Sequence, residues 1–202
     1  APADMPVQLA AGQIDGYVVA EPFNALAETT GVGKILRFSG DIWKEHACCV
    51  TLVRGDLVKN NPQAAQAIAN VIAESQLLIE KDRVAAAGAL SAAKLLPQPL
   101  AAIKKALADY TTAEYPKAIK HPEWKSQRIG FQPFPYPSYT TALINKLKET
   151  VIDADVTFLK KINLKTAHAD LVAVGLAEKA ITKNGGKGKF GIKSFTRTEV
   201  IK

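Results

Sequence analysis

Residues 9–27, LAAGQIDGYVVAEPFNALA, constrain the fold of this chain more than any other stretch. A helix end stops at Gly12. A short apolar run, Ile14–Ala20, follows with Asp15 and Gly16 at its mouth, Glu21 lies at its C-terminal end, and Pro22 opens a new helix. Ile14, Tyr17, Val18 and Val19 are strand formers in a near-continuous apolar run, the pattern of a strand buried on both faces. Proline is tolerated in a first helical turn because its missing N–H has no partner there. In an α/β sheet, small ligands collect where the C-terminal edge of a strand meets a helix N-terminus. The run therefore reads as a site edge as well as structure.

The remaining elements follow in order. A short helix from about Ala3 to Ala11, capped by Asp4, precedes Gly12. A helix from Pro22 to about Thr29 and a strand at Lys34–Phe38 complete a small strand–helix–strand unit. Ala47–Val53, ACCVTLV, reads as a further apolar strand. Asn61-Pro62 starts the longest helix, to about Glu80, with Ala64, Ala65, Ile68, Val71, Ile72, Leu77 and Leu78 at helical spacing. Helical patterns return at Arg83–Leu90, Leu100–Tyr110, Ser138–Glu149 with Ser138 as cap, Ala154–Ile162 and Ala167–Lys179. Gly130–Ser138, GFQPFPYPS, carries three prolines and three aromatics and excludes regular structure; packing onto its own lobe is the role it suggests. An α/β front half with a helical back half results.

Composition enters where it excludes functions. With 48% hydrophobic and 22% charged residues, a largely disordered chain is ruled out. No apolar run is long enough to span a bilayer. Net charge is +7, but residues 183–202 hold six Lys/Arg against one Glu, so the preceding body is near neutral. That Gly- and Lys-rich segment reads as a flexible basic tail, with a last strand at Thr196–Ile201. A tail of this kind argues only weakly for nucleic acid. Adjacent Cys48 and Cys49 lack zinc-site spacing and read as small buried thiols. His121 and His168 are too scattered to form a metal set with anything nearby, and no cofactor is expected. NGGKGKFG at 184–191 lacks the ending and the preceding strand of a phosphate loop.

Leu9, Gly12, Ile14, Asp15, Gly16 and Glu21-Pro22, with the later run CVTLVRGDLVKNNP at 49–62, resemble the solute-binding proteins of ABC importers, in the nitrate/sulfonate/taurine/bicarbonate branch. The resemblance covers Met5–Glu80 well and the rest loosely. It implies a periplasmic-binding-protein-like α/β fold of two hinged lobes with a ligand cleft between them. Residues 1–40 would end the second lobe, residues 41–182 would form the C-terminal part of the first, with a hinge near 40–47, and 183–202 would be the basic tail. The opening APADMPVQLAAG reads as the middle of a fold, so an N-terminal half carrying further ligand contacts is expected to precede it. The implied role is periplasmic capture, without chemistry, of a small and anionic ligand for delivery to an ABC permease at the membrane surface, with no nucleic acid involved. The rival reading is a thiamine-pyrimidine-precursor enzyme, or a pyrimidine-binding protein, on the same scaffold.

Each candidate ligand-binding residue has two readings. Asp15 either faces the cleft or caps nearby amides. Glu21 either meets ligand or the opposite lobe, or serves the helix dipole. Pro22 sets the corner, and the amides of Phe23 and Asn24 can receive an anion at the helix start. His46 either reaches the cleft or is a loop histidine.

Overall fold

The computed structural model describes residues 1–108, 110–124, 128–151 and 153–202. Among these residues the regular structure is helical: α1 (Met5–Ala10), α2 (Phe23–Thr29), α3 (Gly55–Asn60), α4 (Pro62–Lys81), α5 (Arg83–Ala92), α6 (Leu100–Leu107), α7 (Pro137–Glu149), α8 (Thr157–Lys160), α9 (Ala167–Leu171) and α10 (Val174–Lys183). Short 3-10 turns lie at Ser39–Asp41, Thr112–Glu114 and Lys187–Phe190. The chain groups into two units. One comprises Ala1–Cys48, Leu78–Phe131 and Ile201–Lys202, and the other Cys49–Leu77 and Gln132–Val200.

Helix signals in the sequence translate directly where caps act locally. Asn61 accepts the Ala64 N–H at 3.1 Å and starts α4, and Asp82 accepts the Ala85 N–H at 2.8 Å and starts α5. Two expected caps are spent elsewhere. The Asp4 carboxylate takes the Ala1 ammonium at 2.9 Å, and the Ser138 hydroxyl donates to Glu199 at 2.8 Å. The helix expected over Leu100–Tyr110 ends at Leu107, and Asp109 within that range lies outside the described residues. The one expected over Ala167–Lys179 is divided at Val172–Ala173 into α9 and α10.

The first unit is built on small faces. Ala25 on α2 packs with Ala102 and Ala106 on α6, with Leu26 against them. Methyl-sized side chains let the two helix backbones approach closely. Ala87 of α5 joins Ile103 and Leu107 of α6 in a second cluster that Ile79, Leu90, Leu96, Ile129 and Phe131 surround. Arg83 ties this cluster down: its Nη1 donates to the carbonyls of Leu107 and Ile129 at 2.9 and 3.2 Å, and its guanidinium lies 5.3 Å from the Phe131 ring centre. A third cluster joins Phe38, Ala118 and Ile119. Beside it Asp41 is fully buried. Its carboxylate accepts the Lys120 and His121 N–H groups, each at 2.7 Å, and pairs with Arg37 at 2.7 Å. Gly33 is closely packed: a Cβ there would lie 3.0 Å from Leu9 Cδ2 and 3.2 Å from Ala27 Cβ, so the Leu9 side chain would have to shift.

In the second unit Phe134 and Tyr136, from the proline-rich stretch, pack with Ile181 and Ile192. Phe195 stacks on Phe134 at 4.2 Å, and Arg197 lies 4.1 Å over the Tyr136 ring. The reading of residues 183–202 as a flexible tail is thereby corrected. Its lysines point to solvent, but Phe190, Ile192 and Phe195 fold into this core.

The expected strands are corrected too. Among the described residues there is no β-ladder, only an isolated antiparallel bridge between Trp43 and Ile201, beside a Lys202 N–H to Ile42 carbonyl bond of 2.9 Å. A strand satisfies its backbone only through a neighbouring strand, and none lies along Ile14–Ala20 or Lys34–Phe38. Residues 33–37 still alternate between half-buried and exposed, as a strand does. Of their outward positions Lys34 is charged, but Leu36 is apolar and 89% exposed, and on the earlier run Val18 is 92% exposed. Cys48 and Cys49, expected to be buried, are exposed, because no sheet closes over Ala47–Val53.

Candidate functional site

The corner after Ile14–Ala20 is held by local hydrogen bonds. Gly12, at φ +67°, turns the chain out of α1. The Tyr17 hydroxyl donates to the Phe23 carbonyl at 3.0 Å, and the Asn24 amide donates to the Val19 carbonyl at 2.6 Å. Glu21 Oε2 accepts the Ala25 N–H at 3.0 Å, meeting one of the unsatisfied donors of the first turn of α2.

The other Glu21 oxygen turns inward. Arg128 Nε donates to Glu21 Oε1 at 2.7 Å, and Arg128 Nη2 donates to Glu28. Arg128 Nη1 donates to the Tyr115 hydroxyl at 3.1 Å, and that hydroxyl donates to Glu28 Oε1 at 2.7 Å. The guanidinium lies over the rings of both Phe38 and Tyr110, at 5.6 and 5.8 Å. Its side chain is fully buried, with Glu21 8% and Glu28 14% exposed.

The electrostatics follow from this arrangement. Burial pulls the Arg128 pKa down, but the charges of Glu21 and Glu28 outweigh it and hold the group above its ordinary value. Burial, then the charges of Glu21 and Glu28, push the Tyr17 phenol up. Burial and the bond to Glu28 do the same to Tyr115. All four oxygens of the two glutamates have a donor. The cluster thus fixes the corner and leaves no open carboxylate oxygen for direct coordination.

The contiguous candidates Glu21, Pro22, Phe23 and Asn24 meet at this corner. Pro22 is buried, while Phe23 and Asn24 are half-buried. Asp15 is exposed, and His46 is half-buried in a separate turn, where its N–H donates to the Trp43 carbonyl at 3.3 Å. Arg128, Glu28, Tyr115 and Asp41 were missed. The one available signal was a pair of carboxylates seven positions apart, Glu21 just before α2 and Glu28 within it, which one cation can reach together. No group of three or more His, Cys, Asp or Glu that could hold a metal exists among the described residues. No helix among them is long and apolar enough to cross a membrane.

Residues 1–96, which include Glu21 and Glu28 of this corner, match the model of the NMT1-like family. The chain is similar to the nitrate/nitrite binding protein NrtA of Nostoc sp., 34% identical over 80 residues, which are 40% of this chain and 18% of that protein. It is 29% identical over 79 residues to the NrtA of Synechococcus elongatus, covering 39% and 18%. It is 36% identical over 74 residues to the bicarbonate transport ATP-binding protein CmpC of Synechocystis sp., covering 37% and 11%. The chain thus spans under a fifth of the length of these relatives. No solved structure matches it. The resemblance to importer solute-binding proteins of the nitrate and bicarbonate type, drawn from residues 9–27 and 49–62, is borne out.

Proposed function

We propose that this chain is part of the solute-binding component of an ABC importer, capturing a small anion of the nitrate, sulfonate/taurine or bicarbonate type in a cleft between two lobes outside the cytoplasmic membrane. The observation that carries the reading is the similarity of the chain to nitrate/nitrite binding proteins, within a front half that is NMT1-like. The extended, apolar runs at Ile14–Ala20 and Lys34–Phe38 support it, since their outward faces suit burial against further elements of a two-lobed α/β fold. In this reading residues 1–40 end one lobe, residues 41–182 build on the other, and the chain between them near 40–47 is the hinge. Glu21 and Pro22 hold the cleft wall in shape through Arg128, while Asp15, the Phe23 and Asn24 amides and His46 are the groups offered to ligand. Ligand favours the closed state by binding it more tightly, and the closed form docks on the permease.

Thermal-shift titration of the full-length protein tests this. Nitrate, nitrite, bicarbonate, taurine, alkyl sulfonates and pyrimidines are compared. One anion class raises the midpoint in a concentration-dependent way, by about 2.7 kcal/mol of stability at a hundredfold excess over Kd. An unchanged midpoint with every anion sinks the proposal, and a rise with pyrimidines alone moves it to the rival reading.

A further inference from the structure

Five lysines lie between positions 179 and 193: Lys179, Lys183, Lys187, Lys189 and Lys193. All five are exposed, and no Asp or Glu occurs from 179 to 198. None of them has an ion-pair partner among the described residues. Some exposed cations elsewhere pair with nearby carboxylates, as in Arg54–Asp56 and Lys146–Glu149, while Lys160, Lys161 and Lys165 form a smaller exposed group.

The scaffold beneath the lysines is fixed. Lys179 and Lys183 sit four apart on α10 and share a face, while Ala180 and Ile181 of the same helix are buried. Ile192 is buried between Lys189 and Lys193, Phe195 stacks on Phe134, and Lys187 Nζ lies 5.2 Å from the Phe195 ring. Phe190 and Phe195 pack against the core, and the exposed surface carries the lysines with Thr182, Ser194, Thr196 and the single carboxylate Glu178. A surface of this composition has no ring on which a base could stack and no Arg, Asn or Gln fork on α10 to read base edges. Its recognition of a partner is dominated by the density of negative charge.

We infer that this lysine-rich segment is a contact region for anionic phospholipid headgroups, seating the protein against the bilayer that its permease spans. The inference rests on the importer reading, which brings the protein to a membrane. Polybasic segments gain about fivefold in partitioning for each lysine brought to an anionic surface, so five lysines suffice for reversible capture with no inserted anchor.

Vesicle sedimentation of the full chain tests it. The chain pellets with phosphatidylcholine vesicles containing about 30 mol% phosphatidylglycerol and stays in solution with phosphatidylcholine alone. Raising salt from about 0.1 M to about 0.5 M releases it. The triple variant Lys183→Gln, Lys189→Gln, Lys193→Gln weakens binding about a hundredfold, while the matching Lys→Arg variant keeps it. Both retain the wild-type thermal midpoint, because these side chains hold nothing in place. Equal pelleting with neutral vesicles, wild-type binding by the Gln variant, or tighter binding to duplex DNA at equal phosphate overturns the inference. An anion-induced thermal shift that persists while vesicle binding fails refutes the lipid surface alone, and the converse refutes the importer reading.

Discussion

Removing the Arg128 side chain strands two carboxylates in the interior. Breaking a buried ion pair from one side costs about 3–5 kcal/mol, so Arg128→Met should lower the unfolding free energy by that amount in urea denaturation. Adding Glu21→Gln and Glu28→Gln should recover much of it, because the uncompensated charge is then gone. Recovery would assign the cluster to stability; a variant that folds normally but loses the anion-induced shift would assign it to shaping the site. His168 supplies a pH effect. Its Nδ1 bonds the Thr140 hydroxyl at 2.8 Å, its Nε2 is buried without a partner among the described residues, and burial holds its pKa below the ordinary 6.5. A depressed histidine contributes stability that is present above about 6.5 and lost as pH falls through its folded value. The stability gap between wild type and His168→Asn should therefore narrow on acidification from about pH 7 to pH 5. A gap that holds constant would remove the assignment.

Helices here stand or fall on contacts that differ in reach. Asp82→Ala deletes only the cap of α5 and should cost about 1 kcal/mol. Ile103→Ala opens a cavity where α5 and α6 meet and should cost about 2–5 kcal/mol, read as a shift in the denaturation midpoint. The same distinction governs what the residues disclosed beforehand. The helix expected over Pro62–Glu80 forms as Pro62–Lys81, because its cap and periodicity lie within the helix itself. The corner at Glu21-Pro22 was visible for that reason too. Strands at Ile14–Ala20 and Lys34–Phe38 were not secured by their own residues, since a ladder belongs to two segments at once. Arg128 comes from a connector 107 residues away from Glu21, and nothing around it marks an interior cation. Residues 183–202 misled through composition: glycine and lysine suggested motion, while three apolar residues, Phe190, Ile192 and Phe195, decided the packing.

At the scale of the molecule, the uncovered apolar side chains are a liability. Val18 and Leu36 contribute to no described cluster, and isolated exposed apolar groups add little stability. In this chain alone the double variant Val18→Thr, Leu36→Lys should therefore raise solubility with an unchanged thermal midpoint, whereas in the full-length protein, where the importer reading covers these faces, it should lower the midpoint. The bridge between Trp43 and Ile201 bears on a different matter, the timing of synthesis. Trp43 emerges from the ribosome long before Ile201, by on the order of ten seconds at ordinary elongation rates. Throughout that interval the first unit lacks its final edge, while every residue of the second is being made. Completion of the N-terminal unit is thus an event that follows translation of nearly the whole segment, since the Lys202 N–H reaches the Ile42 carbonyl only then.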